Sequence, residues 1–167
     1  KLLLIFHLIG DFYFQTNKIN KNKTNNIRCL LFHVLIYTVT FSPIIFISTN
    51  ILSALIMFGV IFTTHLLIDY FAIKISDQNK TTKTFLIDQI LHIIVLLVLW
   101  LLFKEETIQT TSINNFLIKL GLTVSFEKVI TVSLLVLLIG KPTSIVIEKV
   151  LSKGGEVEHQ SNNQGVL

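Results

Sequence analysis

Residues 51–75 read ILSALIMFGVIFTTHLLIDYFAIKI. Across that stretch the charged or imidazole-bearing side chains are His65, Asp69 and Lys74 alone. A helix of this length rises about 37 Å at 1.5 Å per residue, more than the roughly 30 Å of a bilayer's hydrocarbon core. It is apolar around its whole circumference, as a membrane span is and a surface helix is not. The reading is an all-α transmembrane fold, and the rest of the chain repeats the pattern.

Four companion segments are expected: Leu2 to Phe14, about Cys29 to Ile47, about Phe85 to Phe103 and about Val129 to Ile147. The chain is 51% hydrophobic and 14% charged, against roughly a quarter charged in a soluble domain. Its mean hydropathy is +0.71. So few charges cannot cover a globular surface in water, and lipid is the expected solvent. The net charge is +4, but the lysines fall between apolar segments, where they set orientation. Nucleic acid is not an expected partner. A single cysteine, Cys29, excludes an internal disulfide and a multi-cysteine metal site, and it reads as a buried thiol.

Pro43 is expected to kink or end the second span. Ser48-Thr49-Asn50 reads as a tight turn, 76–84 as a polar loop, and NNFLIKLGL within 104–128 as a short interfacial helix. Lys141-Pro142 is expected to mark the end of the fifth span, whose start then moves towards Leu122. A transmembrane domain over 1–151 and a polar, disordered tail over 152–167, including a solvated His159, complete the division. The first segment lacks a small-residue cleavage site and reads as a retained span extending into residues before Lys1. Lysines and arginines concentrate after spans one, three and five, which predicts the N-terminus outside and the C-terminus in the cytoplasm.

Three of these segments carry a histidine and an aspartate four residues apart: His7/Asp11, His65/Asp69 and Asp88/His92. Such pairs project from one helix face. Ionisable groups are costly inside a membrane and mark function by default. With the predicted orientation all three pairs, and His33 one turn into span two, share a depth of roughly 5–15 Å from the cytoplasmic surface. Histidine–aspartate pairs also tie helices together, but such contacts average only about 0.6 kcal/mol, a small return for burying three aspartates. The expected site is a metal centre of His7, Asp11, His65, Asp69, Asp88 and His92. Imidazole and carboxylate donors suit zinc, manganese or iron. Asp11 and Asp88 are the candidate catalytic groups, since a spare carboxylate can act as a general base. Gln15, His33 and Gln89 are supporting candidates, His33 among them because no acidic residue lies at helical spacing from it.

HLIGDFYFQTNK at 7–18, HLLIDY at 65–70, DQILH at 88–92 and GKP at 140–142 resemble an uncharacterised family of bacterial polytopic membrane proteins. Its first helix carries His-x-x-Gly-Asp-Phe-x-x-Gln, met here by His7, Gly10, Asp11, Phe12 and Gln15, with His33 matching a histidine early in the second helix. The resemblance implies a multi-pass protein of the bacterial inner membrane. A looser likeness, in residue types alone, is to inner-membrane metal-dependent hydrolases.

The expectation is a metal-dependent hydrolase acting on a lipid or lipid-linked substrate at a phosphoester or related bond. The alternatives are a proton- or metal-ion-translocating transporter component, which would need to oligomerise, a haem protein with histidine ligands, and a non-catalytic scaffold. Membrane lipids are the expected partners, and homo-oligomerisation stays open.

Overall fold

In the computed structural model, which describes residues 1–48, 50–75, 82–103, 118–119, 121 and 125–151, every regular element is helical. Helix α1 (Leu2–Leu8) passes directly into a π-helical turn, Ile9–Tyr13. Short α2 (Asn17–Asn22) leads to α3 (Ile27–Ser48), α4 (Ile51–Ile75) and α5 (Thr82–Phe103). Helix α6 (Phe126–Ile139) is followed, after Gly140, by a further helix α7 over 141–151.

Four stretches are long and apolar enough to cross a membrane: Ile27–Phe46, Ile51–Ile75, Lys83–Phe103 and Phe126–Leu151. Leu2–Tyr13 is also apolar but shorter. Helix α3 packs on α4 and α4 on α5, while α1 lies against α3, α5 and α6. At one end Lys1 Nζ bonds Glu127 Oε2 at 2.9 Å, tying the start of α1 to the start of α6. At the other end Tyr13 donates to the Leu137 carbonyl at 3.1 Å, so α1 and α6 run side by side in the same direction.

The apolar core lies towards the Lys1 end. Phe41 and Ile45 of α3, Ala54, Met57 and Ile61 of α4, and Leu96 and Leu99 of α5 are buried together. The outward faces are also apolar: Phe32, Leu35, Val39, Leu55, Ile94, Leu97, Val132 and Val136 are all exposed. A protein apolar both inside and outside matches lipid as its surroundings.

Two local expectations are corrected. Pro43 does not end α3, which continues to Ser48. Proline cannot donate to the carbonyl four residues back, that of Val39. The Ser42 hydroxyl takes that place, donating to the Val39 carbonyl at 2.7 Å. Nor does Lys141-Pro142 close the last span. The helix starts at Phe126, breaks at Gly140 (φ −70°, ψ −121°) and resumes at once. Pro142 sits in the first turn of α7, where its missing N–H costs nothing. A side chain at position 140 would run into the Tyr13 hydroxyl. The loop over 76–81, most of 104–124 and the tail from 152 lie outside the described residues, and with them His159 and most of the expected interfacial helix.

Candidate metal centre

The histidine–aspartate pairs meet in one buried layer at the opposite end of the core from Lys1. Helix α1 enters it through the π turn, closed by the Phe14 N–H on the Ile9 carbonyl at 2.9 Å. The sequence reading treats HLIGDFYF as ordinary α-helix, whereas the wider turn sets Gly10, Asp11 and Phe12 on the buried side. Gly10 is required here by close approach. A β-carbon at that position would stand 2.8 Å from Tyr37 Cδ2 and 3.1 Å from Thr40 Oγ1. Thr40 also donates to the Phe6 carbonyl at 3.3 Å, holding α3 against α1.

At the centre are Asp11, His33 and His65, each from a different helical segment and each buried. His33 Nε2 lies 3.2 Å from His65 Nε2 and 3.4 Å from Asp11 Oδ1, and the third edge, His65 Nε2 to Asp11 Oδ1, is 3.7 Å. Asp69 Oδ2 forms a similar triangle on the same two histidines, at 3.4 and 3.8 Å. A tetrahedral ion with bonds of about 2.0–2.1 Å sets its donors about 3.3–3.4 Å apart. These spacings fit such an ion without large rearrangement. Asp11, His33 and His65 form one group that could hold a metal ion, and His65, Asp69 and His92 a second.

His92 supplies a further observation. Its Nδ1 lies 2.8 Å from the Asp88 carbonyl, so Nδ1 carries the proton and Nε2 presents a lone pair. That Nε2, like His65 Nδ1, is buried without a hydrogen-bond partner. An unpartnered buried nitrogen loses its hydration for nothing unless a ligand restores a bond.

The remaining expected residues surround this group. His7 Nδ1 bonds the Tyr37 hydroxyl at 2.9 Å, and its ring stacks on His92 with centroids 5.6 Å apart. Gln15 Nε2 lies 3.1 Å from His33 Nε2. Gln89 donates to both Asp11 Oδ2 (3.3 Å) and Asp88 Oδ2 (3.1 Å). Asp88 stands apart from both metal-holding groups, 3.9 Å from His92 Nδ1, and its Oδ1 is buried without a hydrogen bond. His33, expected only in support, is thus at the centre, while His7 and Asp88 belong to the wall.

Two members escape the sequence reading. Tyr37 is buried and stacks face to face on His65, with centroids 3.6 Å apart and an interplanar angle of 12°. One helical turn beyond His33 on α3, it had a spacing signal, but one shared with ordinary packing. Lys23 comes from the polar stretch read as an orientation signal. Thr16 caps α2 by accepting from the Ile19 N–H at 3.3 Å, and α2 carries Lys23 inward. Its Nζ bonds Asp69 Oδ2 at 2.8 Å. Burial alone would lower the Lys23 ammonium's pKa, but Asp69 and Asp11 outweigh that and hold it above the ordinary lysine value.

Above this layer is a cavity of about 320 Å³. Asp11, Asp69 and Asp88 line it, together with Lys141, Glu148 and Lys149 of α7. No curated protein and no solved structure matches the chain. The family model described as protein of unknown function (DUF3307) does match, over residues 1–121, and the chain belongs to that family.

Proposed function

We propose that this chain is a metal-dependent hydrolase of the bacterial inner membrane, acting on a lipid or lipid-linked substrate from the cytoplasmic side. The observation that carries the reading is the triangle of Asp11 Oδ1, His33 Nε2 and His65 Nε2 beside the cavity, with edges of 3.2–3.7 Å. Asp69 and His92 complete the donor set. Zinc suits tetrahedral spacing best, and manganese and iron share the same ligand chemistry. When bound, a divalent ion there supplies Lewis acidity, polarising the scissile group and acidifying water.

The protein's own groups have separate tasks. Tyr37 fixes the plane of the His65 ring by stacking, and His7 fixes Tyr37 through its hydroxyl. Gln15 orients His33. Gln89 links Asp11 to Asp88, which keeps the two carboxylates at a set separation. Asp88 is the general base: the residue lines the cavity, and its buried Oδ1 is an acceptor with no hydrogen bond of its own. It takes a proton from the attacking water and returns it to the leaving lipid oxygen as the ester bond breaks. The apolar surround strengthens each of these interactions by excluding bulk water.

The test is to incubate the purified, metal-supplemented protein with a panel of phospholipids and lipid-linked phosphates, reading products by mass spectrometry. Asp88→Asn is expected to keep its metal and lose about 10²–10⁴-fold in rate. His65→Ala is expected to lose metal and turnover together. Turnover unchanged in both variants, or absent from the metal-loaded wild type across the panel, contradicts the hydrolase.

A further inference from the structure

We infer that α2 reads the headgroup of the substrate: Asn17 and Asn20, with Thr24 just beyond the helix, bind hydroxyl groups, and the lipid acted on carries a polyol headgroup such as glycerol or a sugar. This deepens the hydrolase reading and rests on it for the chemistry, though not for the binding. Asn17, Asn20, Lys23 and Thr24 all line the cavity, whereas Lys18 and Lys21 do not. Positions 17, 20 and 24 stand at i, i+3 and i+7, the spacing of one helix face. Beside Lys23, therefore, α2 offers the cavity uncharged hydrogen-bonding groups and keeps its other lysines off it.

The amides at the cavity divide into two kinds. Gln15 and Gln89 are engaged with the centre, on His33 and on Asp11 and Asp88 respectively. Asn17 and Asn20 make no side-chain hydrogen bond among the described residues. A primary amide donates and accepts, as a hydroxyl does, so a polyol can answer both functions. Thr24 donates to the Lys21 carbonyl at 2.8 Å, which leaves its oxygen as an acceptor. This face is held in place by the protein itself. Thr16 caps the start of α2, and Lys23 Nζ bonds Asp69 Oδ2 at 2.8 Å, tying the far end to the carboxylate of a metal-holding group. A headgroup against α2 is thereby seated beside the centre. The volume, about 320 Å³, lies at the small end of ligand pockets and accommodates a headgroup without its acyl chains. Phe85 and Ile145 line the same cavity and give the carbon skeleton an apolar wall. A headgroup without hydroxyls displaces the water on these amides and returns no hydrogen bond.

Native mass spectrometry tests this with the whole chain in detergent, because one spectrum counts both metal and lipid. Dioctanoyl phosphatidylglycerol is titrated beside dioctanoyl phosphatidylethanol, which has the same charge and no hydroxyls. Wild type is compared with the Asn17→Ala/Asn20→Ala double variant, whose altered side chains are exposed and leave the core intact. Phosphatidylglycerol is expected to bind the wild type about tenfold more tightly than phosphatidylethanol, and the double variant to lose that preference with its metal count unchanged. Equal binding of the two lipids to the wild type, or a preference that survives in the double variant, overturns the polyol site. Glycerophosphoglycerol competing at the same concentration as phosphatidylglycerol keeps the polyol site and rejects a lipid as the source of the headgroup. An amide-dependent preference in protein that holds no metal sinks the hydrolase and leaves the headgroup site standing.

Discussion

The same helices that meet as aliphatic and phenyl side chains at one end of the bundle meet as imidazoles and carboxylates at the other. Phe41, Ile61 and Leu96 are buried in the first region, and His33, His65 and His92 in the second, on α3, α4 and α5 respectively. Burial is equally complete in both. In the apolar half these helices meet through side chains without polar groups. What the polar layer adds is a set of donor atoms 3.2–3.8 Å apart, at a cost in desolvation that an apolar layer avoids.

That contrast is broken most severely by removing a central ligand. His33→Ala is expected to abolish metal binding as completely as His65→Ala, with helicity and detergent-stable size unchanged; elemental analysis and circular dichroism read the two properties. Retained metal in His33→Ala would return His33 to a supporting place. Next in size is Phe41→Ala in the apolar half, which should cost about 3–5 kcal/mol of stability by opening a cavity. Thermal unfolding measures it, and metal content per folded molecule should not change.

Lys23→Gln comes third, removing a charged hydrogen bond of about 1.5–3 kcal/mol. The Lys23 ammonium is held above the ordinary lysine value by Asp69 and Asp11, against burial. A raised folded value means that the stabilisation is complete below the unfolded value and fades as pH rises through the folded one. The melting-temperature gap between wild type and variant should stay constant from about pH 6 to 9 and close only above about pH 10.5. A gap that closes near neutrality would contradict the ion pair. Smallest is Gly10→Ala, about 1–3 kcal/mol from overpacking against Tyr37. Because Tyr37 stacks on His65, this variant should also weaken metal affinity, which Phe41→Ala should not.

The spans were legible because hydropathy alone carries them, and the three pairs because four residues nearly complete a helical turn. His33 was not, since every group it meets comes from another segment: Asp11, His65, Asp69 and Gln15. A single sequence offers no intrahelical partner to raise its weight. Lys23 was hidden for a different reason. A lysine in a polar connector reads as an orientation signal, and only α2, nucleated by the Thr16 cap, turns it back to Asp69. The persistence of α3 past Pro43, where the Ser42 hydroxyl serves the Val39 carbonyl, has no signature in residue type alone. The break at Gly140 was half legible: Gly-Lys-Pro announces an interruption, but not that helix resumes beyond it.

On the proposed function, the polar layer is there to hold a metal. The most direct measurement is the metal content of the wild-type chain, purified in mild detergent and then equilibrated with zinc, manganese or iron. About one tightly held equivalent per chain is expected, surviving dialysis and released by acidification, as protonation of imidazole and carboxylate donors requires. Less than about a tenth of an equivalent of any of the three after reconstitution, in protein that remains folded, would contradict it.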